Sequence, residues 1–440
     1  MKEVMSMVAN LLITPVRTLG TVQALLLLCE WQVPQSGEWE GRGWLYCGVA
    51  IQYSLLLGLH RPHHSEDFTS DYKPRQGDRI LPESIEGQER TLAWIYCHII
   101  GYNVASIQGL PSPVKDDYVT LEACAASPGA TPPWLGDIPK HALDALRLAR
   151  FTDRVAQALG DSSLTTSGRL PGSSTTSLFS LFSSELTELE RKIDTDDLNT
   201  SIRLHLCRIR LCAFELQTLR TPSNMTTRTI AAMDCYVGCM RLIGTTCAAP
   251  MDDVARWPVT VQFAYTMACI CLIRLLSTEE GLALDMNAAL TQISTVFRMS
   301  SQIISKEDEL RRSANMLIHF CVCNATHGKG NKFEDLFPDA QSRMGMCNWL
   351  RDCIVRGKHM RSIVLAARQA GQTVDYQDAP AQPLGIPVSG APDLLAGPPA
   401  MDYTINGEWE MPPADFYPTR FAFATAALLV VELSNETKLH

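Results

Sequence analysis

Apolar residues recur at three- and four-residue intervals along most of this 440-residue chain, the spacing that gathers them on one face of an α-helix. The period runs through Thr21 to Glu30, Trp44 to Leu57, Gln88 to Ser106 and His141 to Leu159. It resumes in Ser184 to Leu219, Arg228 to Gly244, Pro258 to Ser277, Leu282 to Ser305, Asp308 to Cys323 and Ala340 to Gly371, with glycines and prolines punctuating the gaps. The two-residue alternation of a half-buried strand is scarce. The spacing therefore predicts an all-α, multi-helical fold. With 46% hydrophobic and 19% charged residues, the chain has enough apolar surface to build a sizeable core.

Breaks in the period suggest how the chain is organised. Residues 1–160 read as one helical core, in which Met1 to Val16 looks like the end of a helix and Arg61 to Ser84 is a long polar loop. Ser162 to Ser177 is crowded with Ser, Thr and Gly, so 161–180 reads as a flexible linker. A second helical block spans 181–371. Residues 372–440 form a tail rich in Pro and Gly that cannot bury enough surface to fold alone. In that mostly disordered tail, acidic residues mix with Trp409, Phe416 and Tyr417, a pattern suited to binding a partner, and Phe421 to Leu433 reads as a short terminal helix.

Charge and motifs narrow the function. The formal charge is -9, whereas an autonomous nucleic-acid binder usually carries a basic excess. The longest apolar runs are interrupted or too short to span a bilayer, so no membrane segment is expected. The fifteen cysteines sit mostly in apolar runs, and the close pairs Cys235 with Cys239, Cys269 with Cys271 and Cys321 with Cys323 read as packed thiols. His60, His63 and His64 lie near Asp67 and Asp71, but a polar loop gathers such groups by composition alone. His327 to Gly330 lacks the Gly and Ser/Thr of a phosphate-binding loop. Asp194, Asp196, Asp197 and Asn199 read as a solvated helix junction, and Asp116-Asp117 and Asp252-Asp253 as exposed turn residues. The basic stretch Arg343 to Arg368 reads as an amphipathic helix with a wet basic face. No G-x-S-x-G, H-E-x-x-H or G-x-G-x-x-G occurs, and the chain is expected to be non-enzymatic, without catalytic, cofactor-binding or metal-ligating residues.

Two passages carry more information. Gly41-Arg42-Gly43-Trp44-Leu45-Tyr46-Cys47-Gly48-Val49-Ala50 runs to Leu56-Leu57-Gly58-Leu59-His60-Arg61, and Glu89-Arg90-Thr91-Leu92-Ala93-Trp94-Ile95-Tyr96 leads to Gly109-Leu110-Pro111. Gly58 is placed to end a helix in the left-handed conformation, with Leu59 making the accompanying apolar contact and His60 and Arg61 near the free carbonyls. Trp44 and Trp94 offer large apolar surfaces and an indole N–H, and Gly48 would let another helix approach. In order and spacing these passages resemble the fungal-specific transcription factor domain, the regulatory region of fungal zinc binuclear cluster transcription factors. The resemblance covers roughly Val16 to Tyr118. The family's paired Arg and paired Trp are reduced here to Arg90 and Trp94, and the Arg of its Gly-Arg-Pro turn is Leu110.

The resemblance implies a nuclear regulator of RNA polymerase II transcription. Its helical body would be regulatory, its partners transcription coactivators or a DNA-binding partner, and a small-molecule effector or a homodimer would be consistent with it. The family's zinc resides in an N-terminal module of two C-x2-C-x6-C runs, and this chain contains no C-x2-C. An alternative reading stays open at this point: a helical small-molecule-binding or scaffold protein that binds no DNA.

Overall fold

Several helices begin where local chemistry supplies an acceptor for their free N–H groups. The computed structural model describes residues 2–31, 42–68, 80–127, 131–254, 256–276, 278–303 and 344–350. Thr18, Ser84, Asp117 and Asp197 each accept a hydrogen bond from the backbone N–H three residues on, and start α2 (Leu19–Glu30), α4 (Ile85–Gln108), α5 (Tyr118–Ala125) and α8 (Leu198–Leu216). Pro139 and Pro171 precede α6 (Lys140–Gly160) and α7 (Gly172–Glu190), and α1 (Lys2–Ile13) and α3 (Arg42–Leu56) complete the amino-terminal part. The rest comprises α9 (Met225–Ala248), the short α10 (Met251–Val254), α11 (Val259–Leu276) and α12 (Met286–Ile303). The described residues contain no strand, and the fold is all-α. None of the described helices is long and apolar enough to cross a membrane.

Burial divides the helices into two cores. Val22, Leu25, Cys47, Ile51, Ile95 and Ile99 build one from α2, α3 and α4. The other is centred on α8, α9 and α11. α11 is apolar all round, from Val261 and Phe263 to Leu275 and Leu276, and is accordingly enclosed by its neighbours. α6 belongs to both: Leu146 and Ala149 face the first core, Leu148, Phe151, Val155 and Leu159 the second. Further ties cross the junction. The Thr260 hydroxyl donates to buried Glu30 at 2.7 Å, and the Trp31 indole donates to the Arg256 carbonyl at 3.0 Å.

Two expectations need correction. The Ser/Thr/Gly-rich stretch is not a linker throughout: helix α7 starts at Gly172, and Thr175, Phe179, Phe182 and Leu186 are buried along one face. Its small hydroxyls fold back onto the helix, as in Ser177 to the Ser173 carbonyl and Ser180 to that of Thr176, so the composition of a flexible segment is compatible with a helix once aromatic residues have a core to enter. The period read as one helix from Ser184 to Leu219 is broken at 191–197, where Ile193 is buried and Asp197 caps the next helix. Helix α5 was not anticipated. Of the polar loop, Pro62–Phe68 is a short 3-10 helix. Asp308 to Cys323, His327 to Gly330, most of Arg343 to Arg368, and Trp409, Phe416 and Tyr417 lie outside the described residues, while Trp349 and Leu350 are buried in the second core.

Candidate functional site

The signature positions surround α3, α4 and the segment that follows α4. At the end of α3, Gly58 has φ +71°. The Leu59 N–H bonds the Ser54 carbonyl and the Gly58 N–H that of Leu55, both at 3.0 Å, while the Leu59 side chain is buried; this is the paired closure of a left-handed helix end. Another carbonyl of this helix end, that of Leu57, receives Arg90 Nη2 at 2.7 Å. This differs from the role anticipated for His60 and Arg61. His60 packs its ring against Phe68 and Trp94 and leaves Nδ1 without a hydrogen-bond partner, and Arg61 is exposed. Trp44 is half-buried against the first core. A Cβ on Gly48 would meet nothing within 4 Å, so no close helix approach depends on it. Gly109, also left-handed, ends α4, and Pro111 is exposed.

Trp94 opens a polar chain along α4 that is buried at His98 and reaches the surface at Asp116. Its indole N–H donates to Asp117 Oδ2 at 2.7 Å, and Asp117 Oδ1 accepts both the backbone N–H and the hydroxyl of Thr120 at 2.9 Å. His98, fully buried, lies 3.2 Å from the Thr120 hydroxyl and 3.1 Å from that of Tyr102. Tyr102 donates to Asp116 Oδ1 at 3.0 Å, and Asp116 Oδ2 is held by Arg150 Nε at 2.7 Å and Nη2 at 2.5 Å. Asp116 and Asp117 were expected to be exposed turn residues. Asp116 is indeed exposed and Asp117 half-buried, yet both are acceptors that anchor α5 and the chain after α4, and the sequence sign of that role was Asp117 at a helix start.

Electrostatics follow the geometry. Burial holds the His98 imidazole below its ordinary range despite Asp117 and Asp116, so the neutral ring has one N–H, which a hydroxyl oxygen can accept while the protons of both hydroxyls go to Asp117 and Asp116. Burial lifts the Asp116 carboxyl, but the hydrogen bonds and charge of Arg150, with Tyr102, outweigh it and hold it below the usual carboxylate range. Burial, then its own proximity to Asp116, pushes the Tyr102 phenol up. One turn beyond Arg150, burial and the Asp116 charge raise Asp153 to about 7, against the hydrogen bond from Gln157.

Two cavities of about 20 and 10 Å3 lie beside this chain of contacts, where α4, α6 and α8 meet. Thr152, Cys207 and Arg210 line both. Among the described residues, no group of three His, Cys, Asp or Glu is placed to hold a metal ion. Cys235, Cys239, Cys269 and Cys271 are buried thiols, and burial raises the pKa of Cys239 and Cys269.

Comparison with known proteins gives this helical arrangement a context. SEF1 of Kluyveromyces lactis is 24% identical over 311 residues, which cover 69% of this chain and 26% of that protein. The transcriptional regulatory protein SEF1 of Candida albicans is 22% identical over 309 residues, 68% of this chain and 32% of the relative. The regulatory protein LEU3 of Saccharomyces cerevisiae is 23% identical over 184 residues, 42% of this chain and 19% of its own length. The chain is similar to fungal transcription factors. It spans about a quarter of the length of the curated SEF1 relatives it matches. No protein-family profile matches the sequence, and no solved structure matches it.

Proposed function

We propose that this chain is a non-catalytic regulatory region of a fungal transcription regulator of the zinc-cluster type, acting on RNA polymerase II transcription in the nucleus. The observation that carries the reading is the similarity to transcription regulators across about two thirds of the chain. The polar chain from Trp94 to Arg150 supports it, since Trp94 of the signature is spent on building a scaffold. With no C-x2-C in the sequence, DNA contact would come from another module or from a DNA-binding partner, possession of zinc going with that module. The acidic aromatic stretch around Trp409, Phe416 and Tyr417 would recruit coactivators, and the helical body would respond to an effector or pair with a second copy.

The test joins the 440-residue chain to a heterologous DNA-binding domain and reads a reporter gene in yeast. Output several-fold above or below that of the DNA-binding domain alone is expected, and replacing Trp409, Phe416 and Tyr417 together by Ala should remove most of any activation. Output equal to the DNA-binding domain alone would overturn the reading.

A further inference from the structure

Two arginines are buried to the same degree in the second core, each 6% exposed, and they are treated differently. Arg228 is paired. Its Nε meets Glu280 Oε1 at 2.8 Å, and its Nη1 donates to the Thr218 carbonyl at 2.6 Å. Arg210, on α8, has no hydrogen bond or ion pair among the described residues, and its Nε is enclosed without a partner. A guanidinium stays charged at any ordinary pH, and an isolated buried charge is far costlier than an unmade neutral hydrogen bond.

The surroundings add to the demand. Asn103, 7% exposed, leaves its amide Nδ2 enclosed without an acceptor, and it lines the smaller cavity together with Arg210 and Arg203. The polar groups nearby carry no charge that pairs with Arg210, and the hydroxyls and carbonyls among them already make other hydrogen bonds. The Thr260 hydroxyl donates to Glu30 and the Thr152 hydroxyl to the Leu148 carbonyl. At the end of α4, the Ser106 and Gly109 carbonyls receive Cys347 Sγ and the Met344 N–H. The smaller cavity thus has two arginines and the Asn103 amide on its lining and no carboxylate, and Asp153, which lines the larger one, makes no ion pair with Arg210.

We infer that the space around Arg210 and Asn103 is a binding site for a small monovalent anion, either a halide or the carboxylate head of an organic acid. The two cavities flank Arg210 and each has room on the scale of one or two waters, which suits such a group and excludes a large ligand unless the helices part. An occupying water would meet the hydrogen bonds and leave the charge uncompensated. Because α4, α6 and α8 converge here, an anion that binds links the two cores. The inference rests on the proposed regulatory reading only for the use of the site, as its effector pocket; binding itself is measured on the isolated chain and is independent of any reporter.

The experiment follows thermal unfolding of the full chain in a sulfonate buffer, with ionic strength held constant by isethionate, while formate, acetate or chloride is titrated in. A saturable rise of several degrees is expected for the wild type, and a flat response for Arg210→Met. Formate and acetate acting without chloride would support a carboxylate effector, and chloride acting equally would support a resident ion. Should Arg210→Met not fold, Asn103→Leu serves, with roughly tenfold weaker anion dependence from the lost donor. Wild-type unfolding indifferent to all three anions, as for a site holding water alone, would overturn the inference. So would a response unchanged in both variants.

Discussion

Adding one methyl group at Gly58 or at Gly48 probes two opposite situations. At Gly58 the backbone is left-handed and a Cβ would lie 2.8 Å from Phe68 and 2.9 Å from the Ser65 backbone, so Gly58→Ala should destabilise by about 1–3 kcal/mol. At Gly48, inside α3 with nothing within 4 Å, Gly48→Ala should stabilise by up to about 1 kcal/mol from helix propensity alone. Urea unfolding of the two variants checks both signs. Asp153 makes a different statement. Its folded pKa of about 7 lies above the ordinary carboxylate value, so the native state binds the extra proton and stability falls as pH rises from about 4 through 7. The full cost, of order 2–4 kcal/mol at about 1.4 kcal/mol per pKa unit, is present above pH 7. Asp153→Asn should therefore flatten that slope and be more stable than the wild type at pH 8, most visibly in the difference between their two stability profiles, where other titrating groups cancel.

Among the elements, α7 shows why reading by composition fails and what replaces it. Its Ser and Thr residues look like a linker, and the deciding signal is the spacing of Phe179, Phe182 and Leu186, which a core must exist to receive. Replacing the exposed Ser177, Ser180 and Ser184 by Ala together should raise stability by roughly 0.3–0.5 kcal/mol per site; a linker would be indifferent, and the thermal midpoint distinguishes the two. The long helices were legible because their apolar faces are continuous, as in α4 and α9. α5 was not, because it has eight residues and gains its stability from Asp117 and the burial of Val119, Thr120 and Ala123. The candidate site divides in the same way. Trp94 and Gly109 were visible in the sequence, but their partners Asp116 and Asp117 looked like turn residues. Arg210 is marked only by being a charge within the apolar run from Ile209 to Phe214, and that its charge lacks a partner among the described residues is a property of three helices meeting.

At the scale of the molecule, the question is whether two cores make two folding units. α6 contributes to both, and Glu30 with Thr260, Trp31 with Arg256, and Gly109 with Met344 tie the halves across the junction. Each of these hydrogen bonds is worth about 0.5–3 kcal/mol, less than the apolar burial shared through α6, where Leu146 and Leu148 alone gain about 1.5–3 kcal/mol each on enclosure. Opening the first core would therefore strip one wall from the second. Leu146→Ala, at a fully buried position of the first core, should cost 2–5 kcal/mol. If the cores are one cooperative unit, hydrogen exchange under mild denaturant will show the most protected amides of α9 and α11 losing as much protection as those of α4, although neither α9 nor α11 is part of the first core. If only α4 and its neighbours accelerate, the halves open separately, and an anion at the α4, α6 and α8 junction would be holding together two units that otherwise part.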